Sequence, residues 1–288
     1  MATIDDSRAG CVAALTDARE AVRIERRRVS DEREALRAFR KRVSSIATEP
    51  IDAGGNWDAS GGGGGNGGPG SAGGVPGNAG VAGAGGSAGT RAPAGSGLVA
   101  VRDAYVETVM SVPHYDTEYD DTYEQSVSEE FGPEIGFALT RTSRFHAEYK
   151  RSLIDAVDTA IDDRGRFLDT LDTEAESLTR AEARLAAIDD ERETMTDDVH
   201  ADADFGALDA CRARTRTLTS DCDRVAARRQ REIADTARAL ALDTDADVQT
   251  YLYQDLSVTY PVLAAVGEVG ERLDELRRSI ERAAAGAE

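Results

Sequence analysis

Lysine is nearly absent from this chain of 288 residues: of 34 basic side chains only Lys41 and Lys150 are lysine, and the rest are arginine. Acidic residues number 54, so the formal charge is −20. A surface of that sign excludes a general attraction to nucleic acid or to an anionic membrane. Aromatic residues reach only 5%, too few for a large globular core built on rings. The three cysteines, Cys11, Cys211 and Cys222, form no Cys-x-x-Cys pair, which points to free thiols in a reducing cytoplasm. The longest apolar runs, such as 262–266, fall far short of a bilayer span. No alternating run of β-branched residues bounded by turn signals occurs, so strands are not expected. A P-loop, a dinucleotide glycine fingerprint, a nucleophile elbow and a zinc-binding Cys/His set are missing. No enzyme activity and no cofactor are therefore expected. The opening shows no charged segment followed by an apolar stretch, and cytoplasmic residence is the expectation.

An excess of carboxylates with arginine in place of lysine suits molar salt, where the Debye length is about 3 Å and self-repulsion is screened. A halophilic archaeal origin is the reading this supports, although a GC-rich genome produces the same Ala, Arg, Asp and Gly bias.

Four stretches carry apolar residues at coiled-coil spacing. In the first, Leu15, Val22, Val29, Leu36 and Val43 recur every seven residues, and Cys11, Ala18, Phe39 and Ile46 fill most intervening positions. Glu25 and Glu32 interrupt that stripe, which predicts a polar or absent partner opposite them. The pattern predicts a helix over about 5–46. From Pro50 to Gly97 lie 20 of the 28 glycines, a composition expected to remain a disordered linker because it buries too little apolar surface to offset its ordering entropy. Trp57 stands in that tract. Beyond it, an amphipathic helix is expected over 98–112 and a brief one ending at Phe131. Pro133 suits the first turn of another. A second long helix is predicted from about 142 to 189 on Ile154, Val157, Ile161, Leu168, Leu171, Ala175, Leu178 and Leu185, with Arg164 and Glu182 as polar exceptions. A third, from about 204 to 242, uses Leu208, Cys211, Thr215, Leu218, Cys222 and Val225, then shifts phase to Ile233, Ala237 and Leu240. After a short helix near 248–256, Pro261 opens the last, on Val262, Val266, Val269, Leu273, Leu276 and Ile280. Three domains follow: a helix over 1–49, a linker over 50–97 and a helical bundle over 98–288.

Few constellations suggest chemistry. Asp197 and His200 make an Asp-x-x-His pair, but no second pair completes a di-metal bundle site. His114, Asp116, Glu118 and Asp120 are the candidates for a hard cation, in a segment that lacks calcium-loop spacing and otherwise reads as a solvated acidic connection. Tyr115, Tyr119 and Tyr123 recur every four residues and fit one face of a helix. Arg23, Arg26, Arg27 and Arg28 form the one dense basic cluster, on a segment locally +3 that suits docking onto an acidic surface.

The stretch Val101-Arg102-Asp103-Ala104-Tyr105-Val106-Glu107-Thr108-Val109-Met110-Ser111-Val112-Pro113-His114-Tyr115 resembles a recurring element of uncharacterised haloarchaeal coiled-coil proteins. The Arg/Glu-rich opening, Arg23 to Arg42, and the order of helices are similar to theirs as well. The resemblance implies an all-helical halophile protein and carries no activity. The sequence thus predicts an all-α fold: an elongated antiparallel helical bundle or coiled coil with a disordered Gly-rich linker. Its expected role is that of a non-enzymatic interaction or scaffold protein that engages protein partners, or itself, through helices. A metal- or ligand-responsive regulator using 114–124 and a nucleic-acid-associated protein using the arginine-rich first helix are the alternatives.

Overall fold

The computed structural model describes residues 3–50, 95–200, 204–240 and 247–286. The glycine tract between 51 and 94, with Trp57, lies outside the described residues, and so does the expectation that it is disordered. Among the described residues every regular element is helical. In chain order these are α1 (Thr3–Ser45), α2 (Ser96–Val106), a 3-10 turn (Val109–Ser111), α3 (Tyr115–Glu118), α4 (Tyr123–Phe131), α5 (Pro133–Arg141), α6 (Ala147–His200), α7 (Phe205–Leu240), α8 (Val248–Leu252) and α9 (Pro261–Gly286). The chain divides into two compact units, one of residues 1–35 with 161–288 and one of residues 36–160.

In the first unit the heptad stripes form the core. Leu15, Ala18, Val22 and Val29 of α1 are buried with Leu171, Leu178, Leu185 and Ile188 of α6. Leu208, Leu218 and Cys222 of α7 join them, with Val248, Leu252 and Tyr253 at α8 and Val262, Val269, Leu273, Leu276 and Ile280 of α9. Fully burying each large apolar side chain stabilises by about 1.5–3 kcal/mol, which is why helices with so little aromatic content pack at all. The polar interruptions of the stripes meet polar partners. Arg164 Nε donates to Glu32 at 3.2 Å, and both are partly buried. Arg19 pairs with Glu182 at 2.6 Å and Arg26 with Asp172 at 2.5 Å. The Tyr251 hydroxyl donates to Glu25 at 2.6 Å. The polar slots of α1 therefore face polar partners.

One expectation fails in α7. The stripe does not shift phase after Val225: Ala237 is exposed and Ile233 only half-buried, while Arg229 continues the 222, 225, 229 spacing as a buried residue. An apolar-only pattern misses this because the position is filled by a guanidinium.

The second unit holds a cluster of aromatic rings. Phe39 stacks on Phe131 with centroids 5.9 Å apart, and Tyr105 meets Phe39, Phe131 and Tyr123 edge-on at 5.2, 5.8 and 5.7 Å, an arrangement the ring quadrupoles favour. The Tyr105 hydroxyl is satisfied by Ser126 at 2.8 Å. Tyr115, Tyr119 and Tyr123 do not share one helix. α3 ends at Glu118, Asp120 takes a left-handed φ of 47°, and Thr122 starts α4 with a reciprocal cap to Gln125. Gly132, at φ 88° between α4 and α5, occupies a backbone region that side chains disfavour.

The two ends of the glycine tract meet in this unit. Glu49 N–H donates to the Phe145 carbonyl at 2.8 Å, and Gly95 N–H to the Ser143 carbonyl at 2.8 Å. Gly97 N–H donates to Glu49 Oε1 at 3.3 Å. Lys150 closes the end of α1 by donating to the Ser44 and Ile46 carbonyls at 2.8 and 2.7 Å, as a cation at a helix C-terminus does. A Cβ on Gly97 would lie 2.9 Å from the Phe145 Cβ, so the absence of a side chain permits this close approach. Helix α2 consequently starts at Ser96, two residues ahead of the predicted Leu98.

Candidate functional site

Glu174 lies one turn from Leu171 and Leu178 on the buried face of α6, and Arg229 holds the matching place on α7. Their side chains are 8% and 3% exposed and pair at 2.6 Å. A buried ion pair is tolerated only when the remaining donors and acceptors are also satisfied. Here they are. Arg229 donates through Nη1 to Glu174 Oε2 and Ser177 Oγ, each at 2.8 Å, and through Nη2 to Glu174 Oε1 and Gln249 Oε1, each at 2.6 Å. The Tyr253 hydroxyl donates to Glu174 Oε1 at 2.5 Å. Burial alone would lower the Arg229 pKa, but the Glu174 carboxylate, with Tyr253 and Glu232 adding to it, raises the value. Burial and the adjacent Glu174 both push the Tyr253 phenol far above its ordinary range, so it remains a donor. Asp247 caps α8 by accepting from Gln249 N–H at 3.1 Å, which holds Gln249 and Tyr253 against the pair.

The network continues outward. Ser177 donates to Glu232 at 2.5 Å, and Glu232 also accepts from Arg228 at 2.9 Å and Arg180 at 3.3 Å. Burial acts to raise the Glu232 pKa, yet the hydrogen bonds from Ser177, Arg228 and Arg180 hold it below the ordinary carboxylate range. Farther along, the buried Asp221 accepts from Arg184 at 2.5 Å and forms an ion pair with Arg224. Between α6 and α7 these side chains line an open groove of about 550 Å³. A second buried cluster joins Asp189 to Arg192 at 2.7 Å and to Arg272 at 3.4 Å.

The sequence-predicted candidates lie elsewhere. His114 is half-buried before α3, and Asp116, Glu118 and Asp120 are exposed around it. Among the described residues no group of three or more His, Cys, Asp or Glu is placed to hold a metal ion. Asp197 is exposed, and the side chain of His200 lies outside the described residues. On α1, Arg23 pairs with Glu20 at 2.5 Å, Arg26 with Asp172, and Arg28 approaches Glu25 at 3.8 Å, while Arg27 is exposed. Cys222 is buried and Cys211 partly so. Sequence reasoning missed Glu174 and Arg229. The only signal was a carboxylate and a guanidinium at core spacing on two helices of unknown mutual register.

The described residues are all-helical, their helices joined by buried and half-buried arginine–carboxylate pairs, and among them no helix is long and apolar enough to cross a membrane. The chain belongs to the family described as domain of unknown function (DUF7260), which it matches over residues 13–277. No curated protein and no solved structure matches it.

Proposed function

We propose that this protein is a non-enzymatic helical scaffold of a halophilic archaeon, acting in the cytoplasm by engaging protein partners or a second copy through its helices. The observation that carries the reading is the series of ion pairs between α1 and α6. Glu32 meets Arg164, Arg26 meets Asp172 and Arg19 meets Glu182. Partner numbers rise as those of α1 fall, which supports an antiparallel bundle in the unit built from 1–35 and 161–288. Charges so placed register helices rather than activate a nucleophile. The arginine-rich head fits nucleic acid less well than docking, because Arg23 and Arg26 are already engaged by carboxylates.

The test is cross-linking mass spectrometry on the full chain in molar salt, with purified protein screened in parallel against phosphoester, ester and peptide substrates with divalent metals. Reproducible inter-chain links confined to one helix face support the scaffold. Metal-dependent turnover would overturn it.

A further inference from the structure

We propose that the groove between α6 and α7 binds a phosphate-bearing small molecule, its phosphate held by Arg180, Arg184, Arg224 and Arg228 and its apolar part seated along Ala181, Ala183 and Ala187. The groove carries positive charge in a chain of net charge −20. Four rim arginines share two acids across the helices: Arg184 of α6 and Arg224 of α7 on Asp221, and Arg180 of α6 and Arg228 of α7 on Glu232. Arg229, at the groove's inner end, is neutralised by Glu174 from behind. The rim therefore has an excess of two positive charges, matching the roughly −1.5 to −2 of a phosphate monoester near neutral pH. Glu176 reaches Arg180 at 3.2 Å from outside the lining, but it is 74% exposed, and so open a pair contributes little.

Donor arithmetic leads the same way. Each guanidinium offers five N–H donors and each carboxylate about four acceptor sites, so four arginines on two acids leave donors in excess. Those donors are reachable, since the four side chains are 42, 54, 67 and 59% exposed in order of number. Guanidinium forks match phosphate oxygens bidentately. The space is adequate too: about 550 Å³ falls within the roughly 300–1,000 Å³ typical of small-molecule sites. It is open because α6 presents alanine at 181, 183 and 187. This apolar wall beside a cationic rim favours an organic phosphate over the bare ion.

The experiment is isothermal titration of the full chain with phenyl phosphate, inorganic phosphate, phenol and a hexaglutamate peptide, at several KCl concentrations. Phenyl phosphate should bind most tightly and weaken as salt rises. Arg180→Gln with Arg228→Gln should weaken it by about tenfold or more without changing the helical signal, because both side chains sit at the open rim and Glu232 keeps Ser177. Ala183→Leu with Ala187→Leu, both at exposed positions, should weaken phenyl phosphate and leave inorganic phosphate unaffected. Equal binding of both phosphates, phenyl phosphate binding indifferent to the arginine variant, or tight binding of hexaglutamate alone would each overturn the proposal. The last would make the groove a docking surface for an acidic peptide.

Discussion

A guanidinium with 3% of its side chain exposed, as in Arg229, is tolerated only while its acceptors remain in place. Arg229→Met leaves the Glu174 carboxylate buried beside Tyr253 and is expected to cost about 3–5 kcal/mol, read from the urea midpoint in molar salt. Pairing it with Glu174→Leu should recover part of that loss, since no uncompensated charge then remains; a double variant weaker than the single one would show that the pair is not the source. Cys222 supplies a second test. Burial above all, with Asp223 and Asp189 adding to it against Arg184, pushes its thiol up to about 11. Because the thiolate is the reacting form, iodoacetamide at pH 8 should label the Cys211 peptide well before the Cys222 peptide. The same shift sets a sign. The unfolded chain releases this proton first, so the thiol's contribution is present below about pH 9 and declines as the pH rises through 11. Equal labelling rates would contradict the burial of Cys222.

At the scale of elements, Glu32 on α1 and Arg164 on α6 are each half-shielded. Glu32→Arg places like charges together and should lower stability by about 1 kcal/mol, with Arg164→Glu in the same chain restoring it; failure of the double variant to recover would mean that the two helices are not registered there. At the start of α2, Gly97→Ala drives a methyl against Phe145 and is expected to cost about 1–3 kcal/mol. The helices themselves were legible, because a seven-residue repeat of Leu and Val has few other solutions. So were the polar slots at Glu25, Glu32, Arg164 and Glu182, which stand out as interruptions. What was not legible was the register that turns interruptions into pairs. Glu174 stands beside Ala175 of the apolar stripe and Arg229 falls where that of α7 was expected to shift phase, so neither showed until the two stripes were set against each other. The groove was hidden for the same reason, since arginines far apart in sequence converge only once α6 and α7 pack. The tyrosine repeat misled because spacing alone does not report that Asp120 and Thr122 end one helix and begin the next.

Across the whole molecule, the surplus of carboxylates makes stability depend on the solvent. Dilution from molar to millimolar salt lengthens the screening distance from about 3 Å towards 30 Å, so the thermal midpoint should fall; an unchanged midpoint would remove the argument for a halophilic surface. Acid acts through particular groups. Glu191, hydrogen-bonded by Arg214, and Glu232 lie below the ordinary value of 4.5. The unfolded chain takes up their protons first, and their contribution is present above about pH 4.5 and lost as the pH falls through their folded values. The clasp at Glu49 has a consequence of another kind. Gly97 donates to Glu49, just past the end of α1, and Gly95 and Glu49 are held by the carbonyls of Ser143 and Phe145, so whatever joins residues 50 and 95 leaves from and re-enters one neighbourhood. Its length is then uncoupled from the packing on either side: halving the tract changes closure entropy by only about 0.6 kcal/mol. Such a site accepts foreign cargo. A folded domain with neighbouring termini could be spliced between 50 and 95 without asking any core residue to move.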